Sequence, residues 1–179
     1  MNTHLPISPS DSAKRADIII VSKTPKNLDT AKKKNIVDNL NLKTHQKAFF
    51  SSITYQKYKC IKSNTELKNE QDYDITLVSG IANPDLLIYN LKEKAQKVNT
   101  INFPDHHNYT AKDVENILLL HNKQTSKKKL ILTTQKDATK LKTLLTNFNG
   151  ENLYYIPIEV AISDKKTFEK KLLNYVTKD

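Results

Sequence analysis

The sequence is poor in glycine, cysteine and arginine, and each shortage excludes a class of protein. Among its 179 residues there are two glycines and one cysteine. Cys60 alone forms neither an internal disulfide nor a zinc site built from thiolates, so a disulfide-stapled secreted scaffold and a zinc ribbon are excluded. Gly80 and Gly150 lie too far apart for the G-x-x-x-x-G-K-[ST] phosphate loop or the G-x-G-x-x-G dinucleotide motif.

Long apolar runs are also missing. No stretch approaches the roughly 18 consecutive apolar residues that a membrane span needs. The first 15 residues lack the apolar segment of a signal peptide. We therefore expect a soluble, cytosolic chain of one domain or slightly more, with residues 1–15 as a flexible linker or chain end.

The net charge of +10 comes almost entirely from lysine, because Arg15 is the one arginine among 29 basic residues. Arginine is the residue that usually recognises phosphates and bases through paired hydrogen bonds. The composition therefore disfavours a nucleic-acid partner. The short lysine runs at 32–34 and 127–129 are typical of solvated surfaces, and contact with anionic lipid headgroups is an alternative.

Short apolar segments alternate with segments of helical periodicity along most of the chain. This rhythm predicts an α/β fold: a mostly parallel sheet of about four to five strands with helices on both faces, a Rossmann-like three-layer arrangement. The aromatic and β-branched stretch from Phe49 to Cys60 predicts an additional β-hairpin that acts as a linker. Cys60 itself is expected to be a buried apolar residue.

Helix starts and faces are also encoded locally. Thr110 and Asp113 have the spacing of a capping box, and Asp164 is a plausible N-cap for the last helix. The periodicity of that helix predicts that Phe168, Leu172 and Val176 point inward.

Three polar segments directly follow predicted strands. Because parallel strands end at the same edge of a sheet, where ligands usually bind, we expect these segments to converge there. The candidate site residues are Ser79 and Gly80 in the first segment, Asp105, His106 and His107 in the second, and Thr133, Thr134, Lys136 and Asp137 in the third.

The Asp-His-His segment is the sharpest of the three. A histidine beside a carboxylate can move a proton near neutral pH or bind a metal ion, although Asp and His also cap strands and helices for structural reasons. Of the two histidines, His106 is favoured. The hydroxyls and lysine of the third segment fit a phosphate contact or simple capping, and Gly80 fits a tight turn or a ligand contact.

Four motifs in this order resemble the C-terminal half of the tetraacyldisaccharide 4'-kinase family. They are R-A-D-I-I-I-V-S-K at 15–23, V-S-G-I-A-N-P at 78–84, N-F-P-D-H at 102–106 and T-T-Q-K-D-A at 133–138. The resemblance covers most of the chain. Gln135 stands where the family pattern has glutamate.

The resemblance implies a kinase that transfers the ATP γ-phosphoryl group to the 4'-hydroxyl of a lipid A precursor, with Mg²⁺ as cofactor. It implies that ATP and Mg²⁺ are bound by an N-terminal P-loop domain of the same polypeptide, and that this chain alone is inactive. It also implies that His106 pairs across a cleft with the aspartate expected to act as catalytic base, and that Asp105 orients His106. His107 is the weaker candidate.

The same resemblance sets the expected organisation and location. Residues 16–45 would be a strand and helix from the junction with the P-loop domain, residues 46–71 a β-strand linker, and residues 72–179 a C-terminal α/β lobe. The partners would be the P-loop domain, the glycolipid substrate and the inner-membrane surface, with the parent enzyme peripheral on its cytoplasmic face.

Two other functions remain open from the residues. One is a Mn²⁺-dependent phosphoesterase of the Asp-His-His class, in which Asp72 and Asp74 would complete the metal site. However, these two residues begin their strand and are expected at the opposite edge of the sheet. The other is a noncatalytic module that binds a phosphorylated ligand at the same edge.

Overall fold

The computed structural model describes residues 15–144 and 152–177. The predicted linker at 1–15 therefore lies outside the described residues, except for Arg15. The chain divides into two compact units, the first formed by Met1–Thr54 with Glu159–Asp179 and the second by Tyr55–Ile158.

The described strands are β1 (Ile18–Val21), β2 (Lys47–Tyr55), β3 (Lys59–Cys60), β4 (Asp74–Ser79), β5 (Lys97–Asn102), β6 (Lys129–Thr134), β7 (Leu153–Ile156) and β8 (Ile158–Ile162). The helices are α1 (Thr30–Asn39), α2 (Asp85–Lys92), α3 (Ala111–Asn122), α4 (Gln135–Leu144) and α5 (Lys165–Val176), with a short 3-10 helix at Glu70–Asp72.

The first unit contains a three-stranded sheet in the order β1-β2-β8. β1 and β2 are parallel, and Ile18 is paired with Lys47. Phe49 of β2 is buried and meets the ring of Phe168 on α5 edge to face, with 5.1 Å between centroids. Asp29 is the N-cap of α1, and its carboxylate accepts a hydrogen bond from the Lys32 backbone N–H at 2.7 Å, because the first amides of a helix have no partner within it.

The second unit contains a five-stranded sheet in the order β3-β7-β6-β4-β5. The pairs β4–β5, β4–β6 and β6–β7 are parallel, and the short strand β3 is antiparallel to β7 at one edge. The inner strand β4, which lies between β6 and β5, is buried along almost its whole length. Burial on both faces explains its continuous apolar sequence, which is typical of parallel strands covered on two sides.

Helices cover both faces of this second sheet. Ile75 and Leu77 of β4 pack in one apolar cluster with Leu87 and Leu91 of α2. Val78 belongs to a separate cluster that includes residues of α3 and α4. Alternate residues of a strand point to opposite faces, so the two clusters are the two sides of a three-layer α/β unit. The predicted fold class, with a mostly parallel sheet between helices, is confirmed.

Three details differ from the sequence-based expectations. β2 and β3 belong to different sheets and do not pair with each other, so the predicted hairpin is not formed. The division at residues 54/55 and 158/159 places α5 with the first unit, whereas the predicted lobe extended from 72 to 179. The predicted inward face of α5 is wrong for Leu172 and Val176, which are 42% and 76% exposed, whereas Phe168 contacts the ring of Phe49.

Predictions that rest on residues close together in the sequence agree better with the structure. The capping box at Thr110 and Asp113 is formed as predicted, with both reciprocal hydrogen bonds present. Asp164 is the N-cap of α5, although its side chain accepts from the Thr167 hydroxyl and not from a backbone amide. Cys60 is buried as expected. Within the described residues, no helix combines the length and the apolar character needed to cross a membrane.

Candidate functional site

The three polar segments meet at one edge of the five-stranded sheet. Ser79, the last residue of β4, is paired with Asn102 at the end of β5, and Val78 is paired with Thr133 near the end of β6. The Ser79 hydroxyl donates to Asn102 Oδ1 at 3.0 Å. The Phe103 N–H donates to the Ser79 carbonyl at 2.8 Å. Parallel pairing of three adjacent strands therefore produces the convergence that the sequence predicts.

Asp137 joins the first and third segments from inside the unit. Its side chain is 1% exposed, and its Oδ2 accepts from the Gly80 N–H at 3.0 Å and from the Thr134 hydroxyl at 2.7 Å. The Thr134 Oγ1 in turn accepts from the Asp137 N–H at 3.1 Å, closing the first turn of α4. These bonds make Asp137 an internal anchor of the edge, and its predicted contact with a substrate or phosphate stays a prediction.

Gly80 is required by close packing and not by its backbone angles. Its φ is not positive. A Cβ at Gly80 would lie 3.0 Å from Asp137 Oδ1 and 3.0 Å from the Tyr109 hydroxyl. Burial raises the pKa of Tyr109 above its ordinary value, and the neighbouring Asp137 charge raises it further. The glycine thus lets a buried carboxylate and a phenol approach the end of β4.

Asp105 and His106 form the exposed part of the site. His106 has a left-handed backbone with φ of 61°, and its N–H donates to Asp105 Oδ1 at 3.0 Å. His106 Nε2 lies 3.6 Å from Asp105 Oδ2, and the imidazole is 78% exposed. Lys136 Nζ donates to Asp105 Oδ1 at 3.0 Å, which lowers the pKa of that carboxyl. An ionised carboxylate therefore lies beside an accessible imidazole.

His107 is used differently from its neighbour. Its ring stacks on Phe103 with 4.6 Å between centroids, and its Nε2 lies 3.1 Å from Asp113 Oδ2. The hydrogen bond with His107 is the main reason that the pKa of Asp113 is lowered, and hydrogen bonds from Thr110 add to it. His107 therefore ties the 105–107 turn to the start of α3. Its predicted role in substrate contact stays a prediction.

The remaining candidates lie at various depths around this edge. Ser79 and Thr133 are completely buried, whereas the side chain of Lys136 is 42% exposed and paired with Asp105.

Sequence reasoning missed Lys140, whose amine donates to the His107 carbonyl at 2.7 Å and to the His106 carbonyl at 3.2 Å. The available signal was its spacing, since residues four apart share a helix face and Lys140 is one turn after Lys136.

The donor set does not fit a metal centre of the phosphoesterase type. No group of three His, Cys, Asp or Glu side chains able to hold a metal ion occurs in the described parts of the chain. Asp74 begins β4 opposite Lys97, whereas the Asp-His-His segment follows the other end of β5. Six residues of strand separate these ends by about 17 Å at roughly 3.3 Å per residue. Asp72 is also paired with Lys128 at 2.8 Å.

A surface groove of about 330 Å³ lies away from the three converging segments. It is lined in part by Asp74 and Lys97, the first residues of β4 and β5, and by Gln124 after α3. None of the predicted site residues lines it. The candidate site is therefore an open edge rather than this groove.

Comparisons with known proteins agree with the resemblance carried by the four motifs. A family model described as tetraacyldisaccharide-1-P 4'-kinase matches residues 8–177. A tetraacyldisaccharide 4'-kinase of Phocaeicola vulgatus is 32% identical, over 96% of this chain and 49% of the relative. One from Flavobacterium psychrophilum is 35% identical, over 92% of this chain and 46% of the relative. The chain thus spans about half the length of the curated relatives it matches.

A solved structure has the same fold. The crystal structure of "apo" form LpxK from Aquifex aeolicus in complex with ATP matches with a TM-score of 0.50 and 17% identity, over 90% of this chain and 43% of that one. This likeness concerns the fold, while the family assignment comes from the sequence matches. Since the family model extends over nearly the whole sequence, the chain belongs to the tetraacyldisaccharide-1-P 4'-kinase family.

Proposed function

We propose that this chain is the C-terminal lobe of an ATP-dependent kinase that phosphorylates the 4'-hydroxyl of tetraacyldisaccharide 1-phosphate in lipid A biosynthesis. The observation that carries the proposal is the exposed Asp105–His106 pair at the carboxyl edge of a parallel sheet, in a chain of this kinase family. Most of the catalytic power in phosphoryl transfer comes from positioning and charge stabilisation. A lobe that presents an accessible imidazole at a rigid edge suits that task.

In this proposal His106 is the group that meets the other half of the enzyme. Its exposed ring is able to hydrogen-bond to the aspartate that is expected to act as catalytic base and to help hold the proton removed from the 4'-hydroxyl. Asp105, whose pKa is lowered by Lys136, stays ionised near neutral pH and favours one orientation of the imidazole. His106 and Asp105 are thus the catalytic pair that this chain supplies.

The residues of this chain do not fit ATP or Mg²⁺. Its two glycines are 70 positions apart, so no phosphate loop is encoded, and the described segments contain no cluster of metal-ligand side chains. We therefore assign both to an N-terminal P-loop domain, as the family resemblance implies. The glycolipid and the cytoplasmic face of the inner membrane complete the proposed set of partners, and the net charge of +10 favours an anionic surface.

The decisive experiment uses the complete product of the gene that encodes this chain. We expect it to contain a P-loop domain and to transfer labelled phosphate from ATP to tetraacyldisaccharide 1-phosphate. His106→Ala should lower kcat by about a hundredfold, within the usual range for a group that assists proton transfer. The matched control is His45→Ala, which removes an exposed histidine of the other unit.

Two results would contradict the proposal. The first is a complete gene product without a P-loop, because it could not supply the missing half of the reaction. The second is an unchanged kcat in the His106→Ala enzyme. The 179-residue chain assayed alone is expected to show no transfer, and measurable turnover by it would remove the need for a second domain.

A further inference from the structure

The backbone of the Asp105–His106 turn is in a conformation that needs support. His106 has a φ of 61°, a left-handed conformation that is unfavourable for a residue with a side chain. Within the turn, the His106 N–H bonds to the Asp105 carboxylate and the His107 N–H donates to the Pro104 carbonyl at 3.2 Å. Two local bonds in an exposed segment are weak restraints, because water competes for both.

Helix α4 supplies the additional restraints through two lysines on one face. Lys136 Nζ binds Asp105 Oδ1 at 3.0 Å, on the carboxylate that also faces His106. One helical turn later, Lys140 Nζ donates to the carbonyls of His106 and His107. The half-buried Lys140 amine thus bridges the two successive peptide units that follow His106, and it holds the carbonyl on the C-terminal side of the left-handed residue.

The support is itself anchored inside the unit. Asp137, next to Lys136, bonds to the Gly80 N–H and the Thr134 hydroxyl, which fixes the start of α4 to the end of β4. On its other side, the turn is held by the contact between His107 and Asp113. The His106 imidazole, at 78%, is more exposed than the side chains of Asp105 and Lys136, at 39% and 42%.

We propose that Lys136 and Lys140 are positioning residues that hold the Asp105–His106 pair in its reactive geometry. Lys136 fixes the carboxylate so that Oδ2 remains toward the imidazole, and Lys140 fixes the two peptide units that follow the left-handed His106. This inference rests on the proposed function for its catalytic consequence, whereas its structural part concerns this chain alone. It assigns Lys136 to Asp105 rather than to a substrate phosphate.

The structural part is tested by NMR on the 179-residue chain labelled with ¹³C and ¹⁵N. In Lys140→Met, the ¹H–¹⁵N NOE of His106 and His107 should fall and the HN–Hα coupling of His106 should move away from its left-handed value. In Lys136→Met, the pKa of the Asp105 carboxyl should rise toward the ordinary aspartate value. Lys136→Arg should keep the pKa of Asp105 low, because arginine retains the charge and the donor.

The matched control is Lys142→Met, which removes an exposed lysine from the same helix. It should leave the 105–107 turn and the Asp105 titration unchanged. Equal spectra of the turn in Lys140→Met and Lys142→Met, together with an unaltered Asp105 titration in Lys136→Met, would overturn the proposal.

The catalytic part is tested in the complete enzyme. Each methionine variant should lower kcat at least about tenfold with little change in KM, since misplacing a catalytic group affects the reaction more than binding. Lys136→Arg should recover most of the loss. Unchanged kcat in both methionine variants, while His106→Ala is impaired, would overturn the positioning role. Full activity of His106→Ala would instead contradict the proposed function, and the NMR comparison would still decide whether the lysines hold the turn.

Discussion

Replacing Asp137 with alanine tests whether a buried carboxylate organises the whole site edge. Asp137 is 1% exposed and accepts hydrogen bonds from the Gly80 N–H and the Thr134 hydroxyl. Alanine leaves the Gly80 amide buried without that acceptor, at a cost of about 1–3 kcal/mol, and removes a charge-assisted bond worth about 1.5 kcal/mol. Removing the buried carboxylate, whose Oδ1 has no hydrogen-bond partner among the described residues, offsets part of this loss. The free energy of unfolding should therefore fall by about 3 kcal/mol.

Asparagine at the same position separates the hydrogen bond from the charge. Asp137→Asn keeps the shape and one carbonyl oxygen for the Gly80 N–H, so we expect a loss of only about 1 kcal/mol. Glu115→Ala serves as the control, because Glu115 is an exposed acidic residue of α3 in the same unit. A surface change of this kind should stay within about 0.5 kcal/mol.

Urea denaturation is the assay, followed by far-UV circular dichroism and tyrosine fluorescence, since the chain has eight tyrosines and no tryptophan. The two units need not unfold together, so coincident transitions by the two probes are required before a free energy is assigned. A loss below about 1 kcal/mol for Asp137→Ala would refute the reasoning, because an orphaned buried amide costs at least that much. So would equal losses for the alanine and asparagine variants.

Four further results are expected. Gly80→Ala should lower the urea midpoint, because its Cβ meets Asp137 and Tyr109 at 3.0 Å. We expect this overpacking to lower the free energy of unfolding by about 1–3 kcal/mol. An unchanged midpoint would disprove the close packing. Asp137→Asn should lower the pKa of Tyr109 seen by tyrosinate absorbance, although burial keeps it raised, and an equal titration would contradict the electrostatic coupling. Burial lowers the pKa of His121, so the unfolded chain binds its proton more readily and stability falls as pH drops below about 6.5. His121→Gln should reduce the fall in melting temperature between about pH 7 and pH 5.5. Parallel curves of melting temperature against pH for the two proteins would argue against a role of His121 in this fall. The pKa of Asp113 is lowered, so its contribution to folding stability is present above about pH 4 and is lost as the pH falls further. The stability of Asp113→Asn should therefore decrease less steeply in acid than that of the original chain. An identical decrease would be inconsistent with a stabilising His107–Asp113 pair.

The local features of the site were predictable because they depend on neighbours in sequence. The capping box of α3 needs only Thr110 and Asp113, three positions apart, and it formed as expected. The convergence of three polar segments followed from parallel strands ending at one edge. The partners within that edge were not predictable, since the Gly80 amide and Asp137 are 57 positions apart and meet only after β4 and β6 pair.

The different surroundings of His106 and His107 could be known only from the fold. Both residues belong to one three-residue segment, yet one imidazole is 78% exposed and the other is stacked on Phe103 and bound to Asp113. The two imidazoles have different surroundings because the left-handed backbone at His106 turns successive side chains in different directions. No residue pattern in the segment itself specifies which histidine receives the aromatic neighbour.

The sequence by itself determined the alternation of strands and helices, the helix caps, the lack of a phosphate loop and the family to which the chain belongs. These properties follow from composition, periodicity and short motifs, which can be recognised without knowing which distant residues come into contact. The tertiary structure alone decided that β8 joins β2, that Leu172 and Val176 remain exposed, and that Lys136 pairs with Asp105. Helical periodicity defines a face but not what covers it, and the burial or pairing of a charged residue depends on groups brought close by folding.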